Sequence, residues 1–102
     1  MKRFIEVINV NEIPQMGSRV LELGDIEIAL FKTREDTVFA INNECPHKQG
    51  KLSEGLVHDG NVTCPLHNWV IDFKTGEAQG NDSGCTNTYE VKIENEKVYI
   101  KI

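Results

Sequence analysis

Apolar and polar positions alternate in short runs along this chain, and turn residues separate the runs. Phe4-Ile5-Glu6-Val7-Ile8-Asn9-Val10 has the two-residue period of a strand with one wet face. Pro14 and Gly17 end it. Arg19-Val20-Leu21-Glu22-Leu23 and Ile26-Glu27-Ile28-Ala29-Leu30-Phe31 flank Gly24-Asp25, the signature of a tight hairpin. Thr37 to Ile41 reads as the next strand, after a polar turn from Thr33 to Asp36. Leu56-Val57-His58 and Asn61-Val62-Thr63 flank Asp59-Gly60, a second hairpin signal. Val70-Ile71-Asp72-Phe73 runs into the turn Lys74-Thr75-Gly76. The chain closes with Tyr89 to Ile93, a polar turn Glu94-Asn95-Glu96, and Val98 to Ile102. No stretch carries the apolar stripe of an amphipathic helix over three turns. The pattern predicts an all-β sandwich or partly open barrel.

Size and charge narrow the picture. The chain has 102 residues, enough for one domain, 1–102, with a modest core. It is 39 % hydrophobic and 26 % charged, an ordinary globular composition. Its 16 acidic against 11 basic side chains give a net charge of −5, which keeps the chain soluble and argues against a nucleic-acid partner. No apolar run approaches the roughly 20 residues of a membrane span. Lys2-Arg3 is followed by no apolar segment, so no signal peptide is read and a cytoplasmic location is expected. Thiols stay reduced there, and the three Cys are then better read as ligands or free thiols than as a disulfide framework.

Chemistry concentrates in two segments, Cys45-Pro46-His47 and Cys64-Pro65-Leu66-His67. They form C-x-H, a gap of 16 residues, and C-x-x-H. Both fall in loops between strands, in a small subdomain spanning about 43–76. Two thiolates and two imidazoles can hold a 2Fe-2S cluster unevenly, the thiolates on one iron and the imidazoles on the other. Neutral imidazoles leave their iron more electron-poor, which raises the reduction potential over an all-Cys cluster. Pro46 and Pro65 restrict the backbone directly after each Cys. Structural zinc is the competing reading, although zinc loops usually pair Cys with Cys and His with His. A Cys/His nucleophile is weaker, because the motif places no third orienting group. Cys85 reads as a small, partly buried side chain without a metal role, and His58 as an exposed hairpin residue. Trp69, two residues after His67, reads as a cap that keeps water off the loops. Lys48, Gln49, Lys51 and Asn68 flank the histidines or the first loop and are candidates for a docking rim. No strand–GxGxxG–helix unit for a dinucleotide is present.

Cys45-Pro46-His47-Lys48-Gln49-Gly50 with Leu52-Ser53-Glu54-Gly55, and Cys64-Pro65-Leu66-His67-Asn68-Trp69 with Asp72-Phe73-Lys74-Thr75-Gly76-Glu77-Ala78, resemble the two cluster loops of the Rieske family. The resemblance implies a β-sandwich with a cluster-binding subdomain. It assigns Cys45 and Cys64 to an inner iron, and His47 and His67 to an outer one. The tail from Gly84-Cys85-Thr86-Asn87-Thr88-Tyr89 to Glu94, with Val98-Tyr99-Ile100, is similar to the small subunit of cytosolic assimilatory NAD(P)H-dependent nitrite reductase, as is Glu27 to Phe31. That similarity implies an electron-transfer subunit, not catalytic alone. Its partner would be a large subunit with FAD, an iron–sulfur cluster and sirohaem, where nitrite becomes ammonium in nitrate assimilation. The Rieske ferredoxin of aromatic-ring dioxygenases shares both cluster loops and is the alternative. So is a subunit whose cluster only supports its fold. Respiratory and photosynthetic members differ: they carry an extra Cys in each loop, where this chain has Gly50 and Leu66. Their hydroxyl donor to a cluster sulfur is replaced by Trp69. The resemblance therefore implies a low potential.

Overall fold

The computed structural model describes residues 3–44, 51–58, 60–65, 69–79 and 84–102. Ten strands run in chain order: β1 Phe4–Asn9, β2 Ser18–Leu23, β3 Ile26–Lys32, β4 Val38–Asn42, β5 Leu56–His58, β6 Asn61–Thr63, β7 Val70–Asp72, β8 Thr88–Tyr89, β9 Val91–Glu94 and β10 Lys97–Lys101. They form three antiparallel sheets, β1-β10-β9, β2-β3-β4-β8 and β5-β6-β7. Two short 3-10 turns, Val10–Glu12 and Leu52–Glu54, are the helical elements among the described residues. The all-β expectation holds.

The four-stranded sheet is the middle layer, and strand periodicity explains why. On β3, Ile28, Ala29, Leu30 and Phe31 are all buried. Successive side chains leave opposite faces of a strand. Ile28 and Leu30 accordingly join Val38, Ala40, Val98 and Ile100 in one core, under the β1-β10-β9 sheet. Ala29 and Phe31 join Ile41, Leu52, Val57, Val62, Cys64, Ile71 and Phe73 in the other, under the β5-β6-β7 sheet. An apolar run that fills both faces is the mark of a strand covered on both sides. Phe73 ties the layers together: its ring lies 4.8 Å from that of Phe31 and 5.2 Å from that of Phe39. Each such pair contributes about 1 kcal/mol beyond burial.

Both hairpin expectations are met. Leu23 pairs with Ile26 across Gly24-Asp25, and Gly24 takes φ +63°, as a two-residue turn with Gly first requires. His58 pairs with Asn61, and Gly60 takes φ +76°. Asp59 lies outside the described residues.

Three expectations are corrected. The first strand stops at Asn9, where the Asn9 side chain accepts from Asn11 N and caps the turn Val10–Glu12. Tyr89 to Ile93 is not one strand: Tyr89 pairs with Ala40 of the middle sheet, while Val91 pairs with Ile100 of the outer one. The chain changes layers at Glu90, held by Lys101 N donating to Glu90 O at 3.0 Å and by Tyr89 Oη donating to Asn42 Oδ1. Burial pushes the Tyr89 phenol up from its usual range, consistent with this neutral donor role. Finally, His58 is half-buried rather than exposed, because its Nε2 lies 2.6 Å from Thr63 Oγ1.

Candidate metal centre

The second Cys/His segment is the connection between β6 and β7. Those strands pair Thr63 with Val70, so the chain from Cys64 to Trp69 leaves and re-enters one ladder. Cys64 N donates to Trp69 O at 2.6 Å and closes the base of the loop. The C-x-x-H motif thus sits on a short loop with fixed ends. Cys64 is 1 % exposed and a free thiol, seated in the core with Val62, Ile71 and Leu52. Pro65 is exposed at the turn, and Trp69 packs half-buried against the same core, as a cap would.

The first Cys/His segment follows β4. Cys45, Pro46, His47, Lys48, Gln49 and Gly50 lie outside the described residues, as do Leu66, His67 and Asn68 of the second segment. The approaches to the first loop are well defined. Asn43 is 5 % exposed before it, and Leu52 is fully buried after it. Leu52 shares a core with Cys64, so the residue that follows the first loop and the one that opens the second lie in one buried cluster. Gly55 completes the approach: a Cβ there would lie 2.2 Å from Thr63 O, so the chain leaving the first loop lies against the strand that delivers Cys64.

The surroundings are polar on one side. A cleft of about 360 Å³ is lined by Asp25, Glu27, Asn42, Asn43, Glu44 and Lys51, with Ile26 its apolar member. Lys51 Nζ lies 2.7 Å from Glu27 Oε1, and this pair holds the Glu27 carboxyl below its ordinary range and the Lys51 ammonium above its own. Lys51, expected on a docking rim, is exposed but already committed to an internal carboxylate. No sequence pattern singled out Glu27 as a partner of Lys51, which stands 24 residues away. Cys85 is exposed rather than partly buried, since it pairs with Glu77 at a sheet margin.

A buried soft thiol at a loop foot fits a thiolate ligand to iron.

Comparison with known proteins agrees with that chemistry. Residues 3–101 match the Rieske-like [2Fe-2S] domain family. The chain belongs to this family, a class of one-electron carriers whose cofactor is a 2Fe-2S cluster. It is 31 % identical over 99 % of its length to the ferredoxin component of the naphthalene 1,2-dioxygenase/salicylate 5-hydroxylase systems of Ralstonia sp, covering 97 % of that protein. It is 33 % identical over 93 % of its length to human apoptosis-inducing factor 3, of which it spans 16 %. Its fold matches the NMR structure of the E. coli protein NirD with a TM-score of 0.86 at 23 % identity, over 100 % of this chain and 98 % of that one. No helix among the described residues is long and apolar enough to cross a membrane.

Proposed function

We propose that this chain is the electron-transfer small subunit of an assimilatory NAD(P)H-dependent nitrite reductase, working with a large FAD and sirohaem subunit in the cytoplasm. The observation that carries the electron-transfer reading is Cys64, buried at the foot of the second loop in the same core as Leu52, which follows the first, within a Rieske-like [2Fe-2S] domain. Cys45 and Cys64 would hold one iron, and His47 and His67 the other. The cluster, when bound, takes up and releases one electron without bond-making. The protein's own groups do the rest. The core that buries Cys64 keeps water from the thiolate side and lowers the local dielectric. Trp69 packs against the core beside Cys64 and fixes the base of the second loop through its carbonyl. Lys48, Gln49 and Asn68 would rim the contact with the partner, next to His47 and His67.

The nitrite-reductase assignment draws support from the segment Gly84 to Tyr89 and from the fold shared with nitrite reductase small subunits. The 31 % identity to a dioxygenase ferredoxin over nearly the whole of both chains favours a second reading, a Rieske ferredoxin delivering electrons to a ring-hydroxylating oxygenase. Co-purification from nitrite-grown cells separates them. The chain should travel with a sirohaem subunit, and nitrite-dependent NAD(P)H oxidation should require it. Reduction of a ring-hydroxylating oxygenase without any such complex would select the second reading.

A further inference from the structure

Both feet of the first loop converge on one carboxylate. Asn43 Nδ2 donates to Glu27 Oε1 at 2.7 Å, and Asn43 N donates to Glu27 O at 2.8 Å. Asn43 Oδ1 accepts from Ser53 N at 2.7 Å, which joins the two feet directly. Lys51 Nζ, on the far side of the loop, reaches the same Glu27 Oε1 at 2.7 Å. Ser53 is held in turn from β2, where Ser18 Oγ donates to Ser53 O at 2.7 Å. Glu27 itself is fixed by β3, the strand that fills both cores. A nearly buried Asn whose amide N–H and carbonyl are both engaged has one orientation. Short loops are sensitive to the spacing of their ends, because few conformers satisfy a fixed closure.

We propose that Glu27 is the positioning residue of the first ligand loop, setting through Asn43 and Lys51 the spacing of its feet and so the aim of Cys45 and His47. This rests on the reading that Cys45 and His47 bind the cluster. Gln at this position keeps the size but loses the charge that draws Lys51 inward.

The test uses the full-length holoprotein as wild type, Glu27→Gln, Asn43→Ala and Glu90→Gln. The last removes the Lys101–Glu90 pair, 3.9 Å long, on the opposite layer. Three signals are read: bleaching of the cluster's visible absorption under excess chelator, EPR linewidth of the reduced cluster, and backbone hydrogen exchange. Glu27→Gln and Asn43→Ala should each bleach about tenfold faster and broaden the signal, the low end of what losing an outer partner of a metal site costs. Exchange should rise in residues 44–52 and stay unchanged in β1, β9 and β10. Glu90→Gln should match wild type. Wild-type bleaching and exchange in both loop variants would overturn the proposal while leaving the cluster reading intact. So would a rise in exchange spread evenly over the molecule, which marks general destabilisation. Stoichiometric zinc without iron in the wild type would instead remove the cluster reading and the proposal with it.

Discussion

Gly76 is a position where one added methyl should do severe damage. It is buried at the end of the turn after β7, with φ +75°. A Cβ there would lie 2.1 Å from Thr86 O and 3.1 Å from Thr88 Cγ2. The first contact is to backbone, so no rotamer change relieves it. Three costs follow for Gly76→Ala. The left-handed backbone costs about 1 kcal/mol for a residue with a Cβ. Moving the 86–88 segment away weakens the bond from Thr86 N to Gly76 O, now 2.8 Å, at about 1 kcal/mol. Residual overpacking adds about 1 kcal/mol or more. The total is about 3 kcal/mol out of a stability on the order of 10 kcal/mol. For a domain of this size that lowers Tm by about 15 °C. The control is Gly24→Ala, at φ +63° with no atom within 4 Å of the added Cβ, where only the backbone cost of about 1 kcal/mol applies. Anaerobic thermal unfolding of the holoprotein at one scan rate, followed by far-UV circular dichroism, measures both. A Gly76→Ala variant within about 5 °C of Gly24→Ala would refute the steric reasoning. It would mean that the segment leading to Tyr89 is not held against this turn.

Further outcomes are expected. Cys45→Ser, Cys64→Ser, His47→Ala and His67→Ala should each lose or badly damage the cluster, whereas Cys85→Ser, at an exposed position, should keep it; iron and sulfide assays read both. Protein-film voltammetry should place the potential near the low end of the Rieske range, about −150 mV, because Gly50 and Leu66 offer no bridging disulfide and Trp69 no hydroxyl; a clearly positive value would contradict this. The Glu27–Lys51 pair should leave a pH signature. The lowered Glu27 pKa means its stabilisation is present above the ordinary 4.5 and lost as pH falls through the folded value. The raised Lys51 pKa, to which Glu54 and Glu22 add, means its share is present below 10.5 and lost as pH rises through the folded value. The Tm gap between wild type and Glu27→Gln should therefore be widest between these limits and narrow beyond either; a gap that widens in acid would reverse the sign. Glu96→Gly should raise Tm by several degrees, since Asn95 and Glu96 take φ +52° and +67° in the β9–β10 turn and Gly suits the second place.

What the sequence determined by itself is local. Strands whose period is two residues, and turns such as Gly24-Asp25 that need a positive φ, are set by neighbours in the chain, and they were legible. The candidate ligands, Cys-x-His and Cys-x-x-His, are likewise written within single loops. The tertiary structure decided what depends on partners far along the chain. Tyr89 to Ile93 has one unbroken pattern, yet it divides between two sheets because Ala40 and Ile100 claim its two halves. His58 looked like a solvent residue until Thr63 closed on it. Nothing local in the sequence pairs Glu27 with a partner, and only the return of the chain brought Asn43 and Lys51 to it, 16 and 24 residues away. Alternation along a strand states which residues share a face but not what covers that face. The folded chain supplied the cover, and with it the core that holds both Leu52 and Cys64.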